Sequence, residues 1–218
     1  PPVAANGRLF VAEEAAHTLR CFDAGTGDTE WSYRAGGPID SPPTIYRNLV
    51  LFGCTDGWVY CLRAEDGALV WRFRAAPRSR RISAFQQLES VWPVHGSVLL
   101  QDGVVYCTAG RSSFLDGGIY LYGLDPETGE VLHKTNVKSE RPDPFKDKGR
   151  THAMEGAKSD ILVSDGTDLY LYQKRFSPEL EPQEAPYGSE MLSPRHGLLG
   201  DRKMGRHLMS TKGFLTEE

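Results

Sequence analysis

Residues 21–31 read CFDAGTGDTEW and residues 61–71 read CLRAEDGALVW. Cys21 aligns with Cys61, Phe22 with Leu62, Ala24 with Ala64, Gly27 with Gly67 and Trp31 with Trp71, at an ungapped offset of 40 residues. A third copy, GLDPETGEVLH at 123–133, keeps Asp125, Thr128 and Gly129 in the places of Asp23, Thr26 and Gly27. His133 stands there where the tryptophan stood. A fixed period of this length marks stacked supersecondary units, each too small to bury its own apolar face.

Upstream of each copy lies a turn followed by a β-rich run: NGRLFVA at 6–12, RNLVLFG at 47–53 and DGVVYCT at 102–108. A fourth start is Asp165-Gly166, followed by LYLY at 169–172. In the second unit the pattern predicts strands near 41–46, 49–55, 58–63 and 68–74. Asp56-Gly57 and Glu65-Asp66-Gly67 fall between them, which is hairpin chemistry. Leu69, Trp71 and Phe73 alternate with Val70, Arg72 and Arg74, the period of a half-buried strand. No amphipathic helix stands out. The expected fold is all-β: a partial β-propeller of four-stranded antiparallel blades, with long irregular insertions and an irregular C-terminal segment. The expected divisions are blade 1 at 1–35, blade 2 at 36–75, an insertion at 76–95, blade 3 at 96–137, a link at 138–156, and an incomplete blade 4 with a long irregular loop at 157–218.

Composition excludes several classes. The 218 residues carry 25 basic and 29 acidic side chains, a net charge of -4, so no global basic field favours nucleic acid or an anionic membrane. No apolar run approaches the ~18 residues of a membrane helix. The 23 glycines and 14 prolines exceed the roughly 12% of an average protein and signal many turns. The chain opens Pro1-Pro2-Val3 with no initiator methionine or signal-peptide pattern, and its end carries no closing signal. The expectation is a piece of a longer protein. Three and a fraction blades cannot close a ring, so open sheet faces and a tendency to associate are expected.

The repeated residues resemble the PQQ-like, quinoprotein-type β-propeller repeat, whose hallmark is Ala-x-Asp-x-x-Thr-Gly-x-x-x-Trp. The first copy has Cys21 for the leading Ala, the second has Arg63 and Asp66 for the Asp and Thr, and the third lacks the Trp. The resemblance covers 1–137 well and 157–173 weakly. It implies that the Asp and Thr brace the turn between third and fourth strands while the Trp wedges between blades. Asp23, Thr26, Gly27, Trp31, Gly67, Trp71, Asp125, Thr128 and Gly129 are thereby assigned structural roles and no catalytic one.

Four-stranded blades alternate their connections between the two faces of the disc. Turns between first and second strands, and between third and fourth, are short here. The extra length falls at 75–95, 110–117, 138–156 and 174–207, all in the other class, so the insertions are expected to crowd one face. In repeat proteins such a face is often the binding face. Its candidate ligand-binding residues are Trp92, His95, Arg111, Ser112, Ser113 and Asp116, with Arg78, Arg80, Arg81, His152 and Glu155 from neighbouring links. An Arg beside hydroxyls and a Trp suits a carboxylate, phosphate or sugar. The favoured reading of the same residues is an Arg111–Asp116 pair that simply pins the loop. Five arginines within 72–81 read as a solvated edge or an anion site.

Other motifs carry little. Cys21, Cys54, Cys61 and Cys107 lack CxxC spacing. Cys21 and Cys61 belong to sheets ~10 Å apart, too far for a bridge, so buried thiols are expected. The six histidines sit at no metal spacing; His152-x-x-Glu155 offers two ligands at most, and His196 and His207 lie in the last long segment. Gly156 to Ser159 lacks the phosphate-loop pattern, and no Ser has a GxSxG context.

The expected function is a non-enzymatic scaffold that binds a protein, small molecule or glycan at the insertion face, with no nucleic acid, no membrane span and no cofactor. Its other partners are the missing blades of the longer chain. The alternative is a fragment of a PQQ- and calcium-dependent quinoprotein alcohol or sugar dehydrogenase. The resemblance implies for such enzymes a carboxylate-and-amide Ca²⁺ site, an Asp base and, in several, a ring from two adjacent cysteines. This sequence has no adjacent cysteine pair. A propeller appended to another catalytic domain is a third arrangement. The resemblance points to a bacterial protein in the periplasm or cell envelope.

Overall fold

Asn6-Gly7 and Asp102-Gly103 both take positive φ at two successive residues, the conformation that joins tightly paired, right-twisted strands. Each opens a four-stranded antiparallel sheet. The structure, a computed structural model, describes residues 2–84, 87–139, 161–171 and 174–183. Blade 1 contains β1 (Val3–Ala5), β2 (Arg8–Glu13), β3 (Thr18–Asp23) and β4 (Thr29–Arg34). Blade 2 contains β5 (Thr44–Tyr46), β6 (Leu49–Gly53), β7 (Trp58–Arg63) and β8 (Leu69–Arg74). A two-stranded hairpin follows, β9 (Arg81–Ala84) with β10 (Gln87–Ser90). Blade 3 is β11 (Leu99–Gln101), β12 (Val104–Ala109), β13 (Ile119–Leu124) and β14 (Val131–Val137). Blade 4 is β15 (Val163–Ser164), β16 (Leu169–Leu171), β17 (Lys174–Phe176) and β18 (Pro182–Gln183). Strand order within each blade follows the chain, so the molecule is a partial all-β propeller.

Two segments differ from the sequence reading. Residues 174–183, expected to begin a loop between second and third strands, supply β17 and β18 and complete a four-stranded fourth blade. Pro182 reads against a strand but is tolerated in this edge position, where one ladder donor is dispensable. The insertion at 76–95 is not wholly irregular, since it holds β9 and β10. His152, Glu155, His196 and His207, and residues 184–207, lie outside the described residues.

Three apolar layers separate the four blades. Phe10, Leu19, Cys21 and Trp31 of blade 1 meet Val50, Phe52, Tyr60 and Leu62 of blade 2. Leu51, Val59 and Cys61 of blade 2 meet Val105, Cys107, Tyr122 and Leu124 of blade 3. Ile119 and Leu121 of blade 3 meet Leu169, Leu171 and Phe176 of blade 4. Each strand sends alternate side chains to opposite layers, which is why a run such as VLF at 50–52 is fully buried. The first strands lie toward the axis: Thr44 Oγ1 donates to the Val98 carbonyl at 2.6 Å, and Ser164 and Gln101 hydrogen-bond between β15 and β11.

The repeat motif closes the turn between third and fourth strands. Asp23 Oδ1 accepts the Gly25 and Thr26 amides at 2.8 and 2.7 Å, and Thr26 Oγ1 accepts the Asp28 amide. Asp125 does the same for Glu127 and Thr128, and Thr128 Oγ1 accepts the Glu130 amide. In blade 2, Arg63 Nε and Nη2 donate to Asp66 at 2.9 and 2.6 Å, and Asp66 takes over the threonine's role by accepting the Ala68 amide. Gly67 and Gly129 have positive φ and also lie under an indole. A Cβ on either would come within 2.6 Å of Trp31 or 2.7 Å of Trp71. The tryptophan of one blade therefore seats on the turn of the next.

Candidate functional site

Gly57 sits in the turn between β6 and β7, where a Cβ would collide with Ala76, Ser90 Oγ and the Trp92 carbonyl. Its bare backbone lets the insertion after blade 2 lie directly on the blade. Backbone bonds then sew the long connections together. The Thr55 amide donates to the Pro38 carbonyl at 3.0 Å, Ser90 to Thr55 at 2.8 Å, Gly110 to Pro93 at 3.0 Å and Ser139 to Ser113 at 2.9 Å. The His17 ring meets Gln87 Oε1 at 3.1 Å. These bonds join connections from blades 1, 2 and 3. The short turns form a separate set, where Arg47 Nη1 reaches Glu127 at 2.5 Å.

The structure brings five of the six candidate residues into this braced surface through specific bonds. Trp92 is buried, and its Nε1 donates to the Asp116 carbonyl at 2.9 Å. Asp116 Oδ1 accepts from Arg80 Nη1 at 3.3 Å. Arg111 Nη2 donates to Glu89 Oε2 at 3.0 Å and to the Ser90 carbonyl at 3.3 Å. Ser113 is buried, and the Ser139 hydroxyl donates to it at 2.8 Å. The sixth, Ser112, folds its hydroxyl onto the Phe114 amide at 3.3 Å. The expected Arg111–Asp116 pair is not formed. Loop pinning is real but uses different partners, because the β9–β10 hairpin interposes Glu89 and Arg80.

Glu89 is 7% exposed and depends on its charged partner, since an unpaired carboxylate at that depth is costly. Arg111 Nε is buried with no hydrogen-bond partner among the described residues. His95 Nδ1 lies 2.5 Å from Asp40 Oδ2, and the Gly96 amide approaches Asp40 Oδ1 at 3.4 Å. That pair ties the link before β5 to the link before β11, at the inner rim of the same face. The sequence pattern missed Glu89, Asp40 and Gly57. The repeated Asp-Gly at 56–57 was the one signal available, and it read as a turn rather than as a seat.

The four cysteines are free and buried. Burial pushes the Cys61 and Cys107 thiols up to about 12, and burial with the nearby Glu30 carboxylate pushes Cys21 up to about 11. None is a ready nucleophile. Among the described residues no three His, Cys, Asp or Glu converge as ligands. Asp40 is engaged by the His95 ring and the Gly96 amide. No helix among the described residues is long and apolar enough to cross a membrane.

The sequence matches the family of outer membrane protein assembly factor BamB over residues 1–143 and again over 55–175. The overlap of the two matches is itself a mark of the repeat. No curated protein matches the chain. Among solved structures, BamB from Moraxella catarrhalis is 17% identical, with a TM-score of 0.56 over 90% of this chain and 49% of that one. A quinohemoprotein alcohol dehydrogenase from Comamonas testosteroni is 16% identical, with a TM-score of 0.61 over 84% and 34%. At such identities the likeness is one of fold. The chain spans about half the length of the Moraxella protein.

Proposed function

The chain belongs to the family of outer membrane protein assembly factor BamB, and from that premise we propose that it is a non-enzymatic scaffold that binds a partner protein at its insertion-loop face. The supporting observation is the fusion of connections from three blades into one braced surface by the Trp92–Asp116, Arg111–Glu89 and Ser139–Ser113 bonds. A rigid platform loses little entropy on binding, which is what a docking site needs. In this reading Trp92 and Ser113 hold the platform from beneath. His95, Arg111, Ser112 and Asp116, each at least partly exposed, are contact candidates, joined by exposed Leu115 and Arg80. A location in the cell envelope accords with the family.

The test is cross-linking of the immobilised chain to envelope proteins. Leu115→Ala with Arg80→Glu should abolish capture of a defined partner, while Arg47→Glu on the opposite face leaves it intact. Loss only with Arg47→Glu would overturn the proposal. The quinoprotein alternative is answered by titrating PQQ with Ca²⁺ and following dye-linked alcohol or sugar oxidation; stoichiometric binding with turnover would displace the scaffold reading.

A further inference from the structure

The β9–β10 hairpin belongs to no blade, and its inner side is fastened firmly. Ile82 packs on the layer between blades 2 and 3, and Glu89 pairs with Arg111. The Ser90 amide is taken by Thr55 and the Ser90 carbonyl by Arg111. The pairing register, Ser90 with Arg81 and Glu89 with Ile82, together with the Val91 amide bonded to the Arg80 carbonyl, sets which backbone groups point inward. Alternation then turns the N–H and C=O of Arg81 and Ser83 away from β10. Among the described residues these groups have no backbone partner.

An open strand edge of this kind is a template for another strand. Here it is held straight by its fastened side and flanked by the exposed side chains of Arg78, Arg80 and Arg81. We propose that the outer edge of β9 takes an extended, acidic segment of a partner protein as an added strand, with carboxylates on Arg78 and Arg81. A second copy of this chain is a poor occupant, because it would bring arginine against arginine. The inference rests on the scaffold reading and names the mode of binding at that face.

The probe is a fluorescein-labelled peptide of alternating glutamate and valine, with a lysine–valine peptide as control. The acidic peptide should raise fluorescence polarisation, and its binding should slow amide exchange of Arg81 and Ser83 in the wild-type chain. Ser83→Pro removes one outward donor without touching the β10 ladder, and should weaken binding roughly tenfold at an unchanged melting temperature. Arg78→Glu with Arg81→Glu, which leaves the Arg80–Asp116 pair in place, should weaken it by a similar factor. Equal binding of the lysine peptide, no protection of Arg81 and Ser83, or a Ser83→Pro-sensitive dimer without peptide binding would each overturn the proposal. If Ser83→Pro keeps the cross-linked partner while Leu115→Ala with Arg80→Glu loses it, the scaffold stands and strand addition falls.

Discussion

Trp31, Trp71 and Tyr106 do one job with two chemistries. Trp31 Nε1 donates to the Ala64 carbonyl and Trp71 Nε1 to the Pro126 carbonyl, each at 3.0 Å, in the turn of the following blade. At the third interface His133 replaces the tryptophan, and Tyr106 from β12 donates its hydroxyl to the Pro178 carbonyl at 2.9 Å. Gly123 makes this exchange possible: it occupies the place of Cys21 and Cys61, and a Cβ there would crowd both Tyr106 and His133 at 3.2 Å. Trp31→Ala should cost about 3–5 kcal/mol in urea unfolding, since packing and the bond are lost together. Trp71→Phe keeps most of the packing and should cost nearer ~1 kcal/mol. Asp66 gives a pH signature. The Arg63 guanidinium, then the Ala68 amide, hold its carboxyl at about 2. A depressed folded-state value stabilises above the unfolded value of ~3.9 and is lost as pH falls toward ~2. Asp66→Asn should therefore flatten the acid limb of the stability curve across that window, lowering stability at neutral pH and leaving it nearly unchanged below pH ~2. The Asp, Gly and Trp roles were legible because each is a local spacing. The Tyr106 exchange was not, because it depends on which residues face each other across β12, β13 and β14.

At the scale of elements, the blades were legible and the hairpin was not. Blade strands carry period-two alternation, and several end at Asn-Gly or Asp-Gly. β9 and β10 have four residues each, and no glycine or asparagine lies between them in the sequence. β17 and β18 are shorter still, and Pro182 argued against them. An isolated hairpin is marginal in water, so β9–β10 persists through its attachments. Glu89→Ala should strand the Arg111 guanidinium, cost about 2 kcal/mol locally, and speed amide exchange at Val91 by at least roughly tenfold. The melting temperature of the blades should barely move. A global loss of stability would mean that the hairpin is part of the core rather than an appendage. Candidate site residues were named from topology, on the expectation that the long connections share a face. Their partners were hidden because they come from the hairpin.

At the scale of the whole molecule, the sheet of blade 1 has one side with no blade against it among the described residues. Leu9, Val11 and Phe22 hold the register positions that Val50, Phe52 and Leu62 hold in blade 2, yet are only half-buried. Concentration-dependent association is expected, measurable by sedimentation, and Val11→Glu should suppress it without unfolding the monomer. Failure of Val11→Glu to change the sedimentation profile would place any association elsewhere. The latches between blades all run the same way, from the donor of one blade to the turn of the next. Tension applied beyond blade 4 therefore withdraws each receiving turn before the indole that leans on it. The blades should peel serially on a force ramp, and the first rupture should be the one at Tyr106, where a single phenol has replaced the broader tryptophan.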